Sequence, residues 1–236
     1  MKAFIASVKE IFLNTISNPI WKNEKTLKIP LYQREYEWST SNVTSLVREV
    51  LNRDKFLGMI ILDEKEECYE IADGQQRLTT MLLSLISIYN HYQGSRKEQS
   101  VLNNYIFDKE MNIRLQNDSV GSYISSDNGS GLLEVDIEDD KDVYNQKNVF
   151  KTAYATIDAI LSENDRFKEF KDKLQNSTLL VLIKDIDSTN SDAVEQIFLD
   201  INEKSKRLDN ASIFKGYCFK IYDEAFQDEL KCLWIR

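Results

Sequence analysis

One stretch, Cys68-Tyr-Glu-Ile-Ala-Asp-Gly-Gln-Gln-Arg-Leu-Thr-Thr-Met-Leu-Leu-Ser-Leu85, constrains this chain more than any other. Its hydrophobic period changes once. Up to Asp73 it reads as a short strand, with Tyr69 and Ile71 on one face and Glu70 and Ala72 on the other. From Gln75 onward Leu78, Met81, Leu82, Leu85 and Tyr89 recur at helical spacing. Asp73-Gly74 stands between them, a turn dipeptide because Gly accepts a positive φ at no steric cost. The switch crowds Asp73, Gln75, Gln76 and Arg77 at one strand-to-helix corner. A helix start there exposes N–H groups and a positive dipole end, which suit an anion such as a phosphate. Arg77 would add a planar fork of donors that matches phosphate oxygens. Gln75 and Gln76 can donate to oxygens or orient a water, and Asp73 can hold a hydrated Mg²⁺ or accept a proton from water. The same residues also read as a capped turn, with Asp73 closing the helix start and Arg77 paired with a neighbouring carboxylate.

Composition narrows the function classes. The 236 residues can build one or two domains. A hydrophobic share of 42% with 29% charged residues is globular, and 7 Gly with 2 Pro favour a helix-rich chain over a loop-rich all-β one. The formal charge of −9 argues against a surface given over to nucleic acid. Cys68, Cys218 and Cys232 are scattered without CxxC spacing, which fits a reducing cytosol and excludes a disulfide framework or zinc knuckle. His91 is the single histidine, so two-histidine chemistry and a His-Asn-His nuclease site are absent from this chain; His91 itself reads as an ordinary surface residue. Apolar runs such as Leu179 to Ile183 are too short to span a membrane, and the N-terminus is charged too early for a signal peptide. A cytoplasmic protein is expected.

Taken in order, Phe4, Val8, Ile11 and Phe12 predict an amphipathic helix over 3–16, broken at Asn18-Pro19. Leu27 to Leu31 is a short strand, and Tyr32-Gln-Arg-Glu-Tyr-Glu-Trp38 is dense in aromatics and charge. A helix capped at Ser39, Thr40 or Ser41 follows, with Val43, Leu46, Val47, Val50 and Leu51 as its stripe. Phe56 to Leu62 is a strand buried on both faces, and Asp63 to Glu67 a charged turn. The helix from Gln75 runs to about Tyr92; Val101 to Phe107 gives a further helical turn or two, and Met111 to Leu115 a strand. Asn117 to Asp142 is a solvated loop, with room for a short helix around Val120 to Ile124 and an exposed acidic run at Asp136 to Asp140. Then come a helix through Phe150, Tyr154, Ile157 and Leu161, a strand over Thr178 to Ile183, a helix on Val194, Ile197, Phe198 and Ile201, and a last helix on Phe214, Cys218 and Ile221. Apolar residues near Arg236 fit a packed terminus or a chain cut before a further domain.

Two other constellations bear on the corner. Gln33 and Arg34 can face it, while Tyr32, Tyr36 and Trp38 read mainly as core and wall. Asn202, at a helix end, stands with Lys204, Lys206, Arg207 and Lys215 as a far wall, or as cations answering a helix dipole.

Ile29-Pro-Leu-Tyr-Gln-Arg-Glu-Tyr-Glu-Trp38, Phe56 to Leu62, Ile71-Ala-Asp-Gly-Gln-Gln-Arg-Leu-Thr-Thr80, Ile197 to Asn202 and Ile213-Phe-Lys215 together resemble, in order and spacing, the N-terminal domain of GmrSD-type, modification-dependent restriction enzymes. One departure is that Lys204-Ser205 stand where that family often has Arg-Gly. The resemblance implies an α+β fold: a ParB/sulfiredoxin-like small mixed sheet with helices, plus a helix-rich C-terminal part. It divides the chain into a nucleotide-binding domain over 1–116, a solvated acidic loop over 117–142, and a helix-rich extension with one strand over 143–236 that completes the pocket. It implies a nucleotide-binding, NTP-hydrolysing module of a bacterial anti-phage system, without its own His-containing nuclease domain. The cofactors expected are Mg²⁺ and a nucleoside triphosphate; the partners are a nuclease or a nuclease domain, with indirect DNA contact, no membrane, and homo-oligomerisation left open. The residues carried over are Gln33, Arg34, Asp73, Gly74, Gln75, Gln76, Arg77, Asn202 and Lys215, with Asp73 as the metal residue. The rival reading is a non-catalytic ParB-like sensing or docking module for a partner nuclease.

Overall fold

The computed structural model of the chain describes residues 2–30, 36–52, 56–91, 94–117, 124–126, 133–135 and 144–184. The predicted helices beyond residue 184 and the acidic run at Asp136 to Asp140 lie outside them. Lys2–Ile183 form one compact unit; Met1 and Lys184–Arg236 group apart from it, and of those only Lys184 is described.

The fold is α+β. Six strands make one mixed sheet in the order β1-β8-β3-β4-β2-β5: β1 Lys2–Ser7, β2 Thr26–Ile29, β3 Phe56–Glu64, β4 Cys68–Asp73, β5 Leu115–Asn117 and β8 Thr178–Lys184. A separate two-stranded ribbon pairs β6 (Ile124–Ser126) with β7 (Leu133–Val135). The helices are α1 Val8–Leu13, α2 Thr40–Asn52, α3 Gln75–Asn90, α4 Arg96–Ile106, α5 Tyr144–Ser162 and α6 Phe167–Asn176. β3 and β4 form an antiparallel hairpin, whereas β2 runs parallel to β4, with Leu27 opposite Tyr69.

The opening segment departs from the expected helix. Residues 2–7 are strand, and only Val8–Leu13 is helical. Phe4 and Ala6 alternate inward, and β1 zips antiparallel onto β8 from Lys2 opposite Ile183 to Ser7 opposite Thr178. Ser7 then starts the helix through a capping box with Glu10, and Asn14 ends it at a φ of 54°. Three smaller shifts follow. The charged turn begins only after Glu64, the strand expected over Met111 to Leu115 forms at Leu115–Asn117, and Ile124 opens a strand rather than closing a helix. α4 is a full helix from Arg96, and α6 is a helix beyond those expected from the sequence.

α3 is the centre of the packing. Its residues from Leu78 to Ile88 are all buried, and it meets α4, α5 and α6. A helix buried all round has to satisfy its polar side chains locally. Thr80 Oγ1 donates to the Gln76 carbonyl, Ser84 Oγ to the Thr80 carbonyl and Ser87 Oγ to Asp158 Oδ1, at 2.8, 2.8 and 2.9 Å. His91 closes the same end. Its Nε2 lies 2.8 Å from Asp158 Oδ1 and its ring stacks on Phe167 at 4.3 Å, so this residue, exposed as expected, also ties α3 to α5 and α6.

Candidate functional site

The strand-to-helix corner forms as expected. β4 ends at Asp73, Gly74 stands in the turn at a φ of 95°, and α3 starts at Gln75. Gly74 is needed twice over. Its φ disfavours any L side chain, and a Cβ there would lie 2.7 Å from Ile60 Cγ2 on β3. The helix start carries no side-chain cap, unlike α1 and α4, which Ser7 and Ser95 close with capping boxes. Asp73 therefore does not play the cap of the rival reading. It ends the strand opposite Ile61, half-buried.

Arg77 sits in the first turn of α3 and reaches back across β3. Its Nη1 donates to the Met59 carbonyl at 2.8 Å. Its Cζ, Nη2 and Nη1 lie 3.2, 3.2 and 3.3 Å from where a Cβ of Gly58 would stand, so the fork rests face-on against that glycine. Gly58 has a φ of 94° in the middle of a strand. Burial pulls the Arg77 guanidinium below its ordinary value, while the charges of Asp73 and Glu49 push it back up. Arg77 makes no ion pair with a carboxylate among the described residues.

Gln75 and Gln76 are buried, at 7% and 5% exposure. Gln76 Oε1 accepts the Glu37 N–H at 2.9 Å. One turn further along α3, the hydroxyls of Thr80 and Tyr36 are 2.7 Å apart, and the Tyr36 ring packs on Phe150 at 4.9 Å. Burial, offset in part by the Thr80 hydrogen bond, pushes the Tyr36 phenol up to about 12. Tyr36 and Glu37 thus fasten the end of the aromatic segment to the first turns of α3. Upstream of that segment, β2 runs beside β4 with Lys28 opposite Glu70. Gln33, Arg34, Asn202 and Lys215 lie outside the described residues.

The opposite end of β4 is also polar but closed. Glu64 and Lys25 are buried at 6% and 5% exposure, and Lys25 Nζ donates to Glu64 Oε1 at 3.0 Å and to the Lys65 carbonyl. Lys22 Nζ joins the same carboxylate, and the Lys22 N–H donates to the Tyr69 hydroxyl at 2.9 Å. Trp21 stacks on Tyr69 at 4.4 Å and donates its Nε1–H to Asn14 Oδ1 at 2.7 Å. Burial pushes the Glu64 carboxyl up, but Lys22 and Lys25 outweigh it and hold it below its ordinary value. Beside this end lies a cavity of about 530 Å³ between α1, the start of β2 and the turn before β5, lined by Asn14, Lys25, Asp108 and Arg114 among others.

The residues that sequence reasoning missed are Gly58 and the Glu37 backbone. A lone Gly inside an apolar strand is the available sign of a close backbone approach. The Glu37 contact had none, because it is a main-chain donor meeting a side chain 39 residues away.

No curated protein matches the chain. Residues 10–219, most of its length, match the family model of the GmrSD restriction endonuclease N-terminal domain. With the strand-turn-helix corner formed inside that span, the chain belongs to the GmrSD N-terminal domain family and is a restriction-system module.

Proposed function

We propose that the Asp73–Arg77 corner holds the phosphates of a nucleoside triphosphate, and that this module hydrolyses it in step with a nuclease that restricts modified phage DNA. The observation that carries the reading is a buried 16-residue helix whose start has no side-chain cap, with a partly desolvated arginine in its first turn outside any carboxylate ion pair among the described residues. An oxyanion at that start would meet the dipole end and the Arg77 fork together. Gln76 accepts the Glu37 N–H, and Gln75 or Gln76 orients the attacking water. Gln33, Arg34, Asn202 and Lys215 are the other nucleotide-binding residues that the family resemblance implies. The DNA contact is indirect, as the charge of −9 suggests. The implied fold relationship is to ParB/sulfiredoxin-like units, and the implied setting is the bacterial cytoplasm.

Mg²⁺ fits this donor set in a limited way. No group of three or more metal-ligating side chains occurs among the described residues. Mg²⁺ at a triphosphate, however, commonly takes one or two carboxylates and completes its shell with phosphate and water. Asp73 would be that carboxylate, and the ion would neutralise phosphate charge when bound.

The test is a thermal-shift and phosphate-release assay with each of the four NTPs and Mg²⁺. A shift with release, both reduced in Asp73→Ala and Arg77→Ala, is expected. A folded protein that shows neither, or variants as active as wild type, would overturn the reading.

A further inference from the structure

We propose that Gly58 is a positioning residue for Arg77: the Cβ it lacks is the slot in which the guanidinium lies.

Two independent observations meet at this residue. The φ of 94° lies inside β3, where an ordinary strand residue is negative, so the chain maintains a conformation that only Gly adopts freely. The space that conformation opens is filled by the far end of one side chain, with three atoms of the Arg77 fork at 3.2–3.3 Å from the absent Cβ. That spacing is tighter than ordinary contact, so an added methyl would require the guanidinium to move. The movement is constrained. Nη1 is held by the Met59 carbonyl, the residue next to Gly58, and a shift away from Gly58 strains that bond. Gly58 and Met59 therefore act as a two-point seat: one supplies a flat floor, the other a hydrogen-bond acceptor. The seat fixes which donors of the fork stay available. One of the two Nη1 protons is spent on the strand, so an anion is left the other four N–H donors of the fork. Gly74 holds the same strand at Ile60, so the helix start and its arginine are both keyed to β3 within three residues, Gly58 to Ile60. The consequence for ligand binding rests on the proposed nucleotide reading of the corner; the placement of the guanidinium does not.

The test follows the Arg77 side-chain Nε–Hε signal by ¹⁵N NMR in the full chain, assigned by its absence in Arg77→Lys. Gly58→Ala should displace the signal and speed its exchange with water; an unmoved signal in folded Gly58→Ala overturns the proposal. Because a positive φ strains Ala by itself, the melting loss from Gly58→Ala is also measured in an Arg77→Ala background, where the contact is gone. The loss there should be smaller by about 3 °C; equal losses overturn the proposal. Gly58→Asn, which tolerates a positive φ better while still adding a Cβ, carries the same expectation and covers a failure of the Ala variant to fold. With Mg²⁺-ATP and the other NTPs as probes, Gly58→Ala should weaken binding about tenfold, as Arg77→Lys does. A displaced signal with unchanged affinity rejects Gly58 as a determinant of binding. A wild type that binds no NTP while Gly58→Ala still displaces the signal rejects the nucleotide reading and upholds the seat.

Discussion

β4 has two polar ends, and they are built on opposite plans. Its start carries Tyr69 beside Lys22, Lys25 and Glu64; its end carries Asp73 and opens into Gln75, Gln76 and Arg77. About 13 Å of strand separates Tyr69 from Asp73. At the first end each charge meets an opposite charge, and the aromatic rings stack over the join. At the second, glycines take the place of side chains, the helix has no cap, and the arginine leans on backbone rather than on a carboxylate. A network whose charges answer one another contributes chiefly to stability. An end organised by glycines brings polar groups together without neutralising them, which is the condition a binding site needs. The contrast predicts that damage at the first end appears in stability, and damage at the second in ligand binding.

The largest effect is expected from Glu64→Ala. Removing one partner of a buried pair leaves the other charge uncompensated, here Lys25 at 6% side-chain exposure, at a cost of about 3–5 kcal/mol. Urea denaturation would measure it. The double variant Lys25→Met with Glu64→Leu should recover most of the loss, since a well-packed apolar pair is often neutral or better. The pH dependence has a defined sign. The folded carboxyl lies below its ordinary 4.5, so its contribution is present above that pH and is lost as pH falls through the lowered value. Glu64→Ala should flatten that acid limb. A loss of nucleotide turnover in folded Glu64→Ala would break the division of labour between the two ends.

Gly74→Ala comes next, at about 2–3 kcal/mol, because it combines positive-φ strain with a methyl 2.7 Å from Ile60 Cγ2. Thermal unfolding would read the stability part. A companion Ile60→Val should not restore the backbone strain but should reduce the overlap, since Cγ2 remains while the side chain gains room to shift. Unlike Glu64→Ala, this change should also impair ligand binding in the fraction that stays folded.

The sequence made these ends unequally legible. The corner was readable because a period of two gives way to a period of 3.6 across Asp73-Gly74, and both halves of that signal are local. α2, β3 and β8 were readable for the same reason, whereas the α+β class came from the family resemblance. β1 was not: Phe4, Val8, Ile11 and Phe12 satisfy helical spacing, and the strand exists because β8, more than 170 residues later, supplies its hydrogen bonds. The local clue was the Ser7-x-x-Glu10 capping box, which places the helix start at Val8. α6 carried a usable pattern in Phe167, Phe170 and Leu174 at offsets 0, 3 and 7. The Lys25–Glu64 pair left no trace, because charge pairing across 39 residues is a property of the fold and not of any window of sequence. Gly58 was visible as a letter, but not as the seat of an arginine 19 positions on.

Arg77→Lys tests the second end with a smaller change. A lysine keeps the charge and loses the fork, so it cannot hold the Met59 carbonyl and an anion with the same planar geometry. Nucleotide affinity should fall about tenfold, or ~1.4 kcal/mol, with stability nearly unchanged. Calorimetric titration and a melting curve on the same sample separate the two. A large drop in melting temperature with intact affinity would assign Arg77 to the closed, structural class and erase the contrast.

The smallest effect, about 1 kcal/mol, is expected from Tyr36→Phe, which removes the 2.7 Å hydrogen bond to Thr80 while keeping the ring on Phe150. Its value lies in the alkaline limb. Burial raises the folded phenol from 10.0 to about 12, so the folded state keeps the proton after the unfolded chain has lost it. Stability from this group is complete below pH 10 and drains away as pH rises towards 12. Tyr69, Tyr105 and Tyr154 are raised as well, so wild type should lose stability over this range in several shares, and Tyr36→Phe should delete one of them. Urea midpoints at pH 8 and near pH 11 would show it: the gap between variant and wild type should narrow at the higher pH. Because Tyr36 and Glu37 pin the aromatic segment beside the corner, the variant should also weaken nucleotide binding modestly, a coupling that no substitution at Tyr69 should show. Equal effects on binding from Tyr36→Phe and Tyr69→Phe would mean that the two ends of the strand are one cooperative unit, and that glycine-built openness at Asp73 does not by itself separate binding from stability.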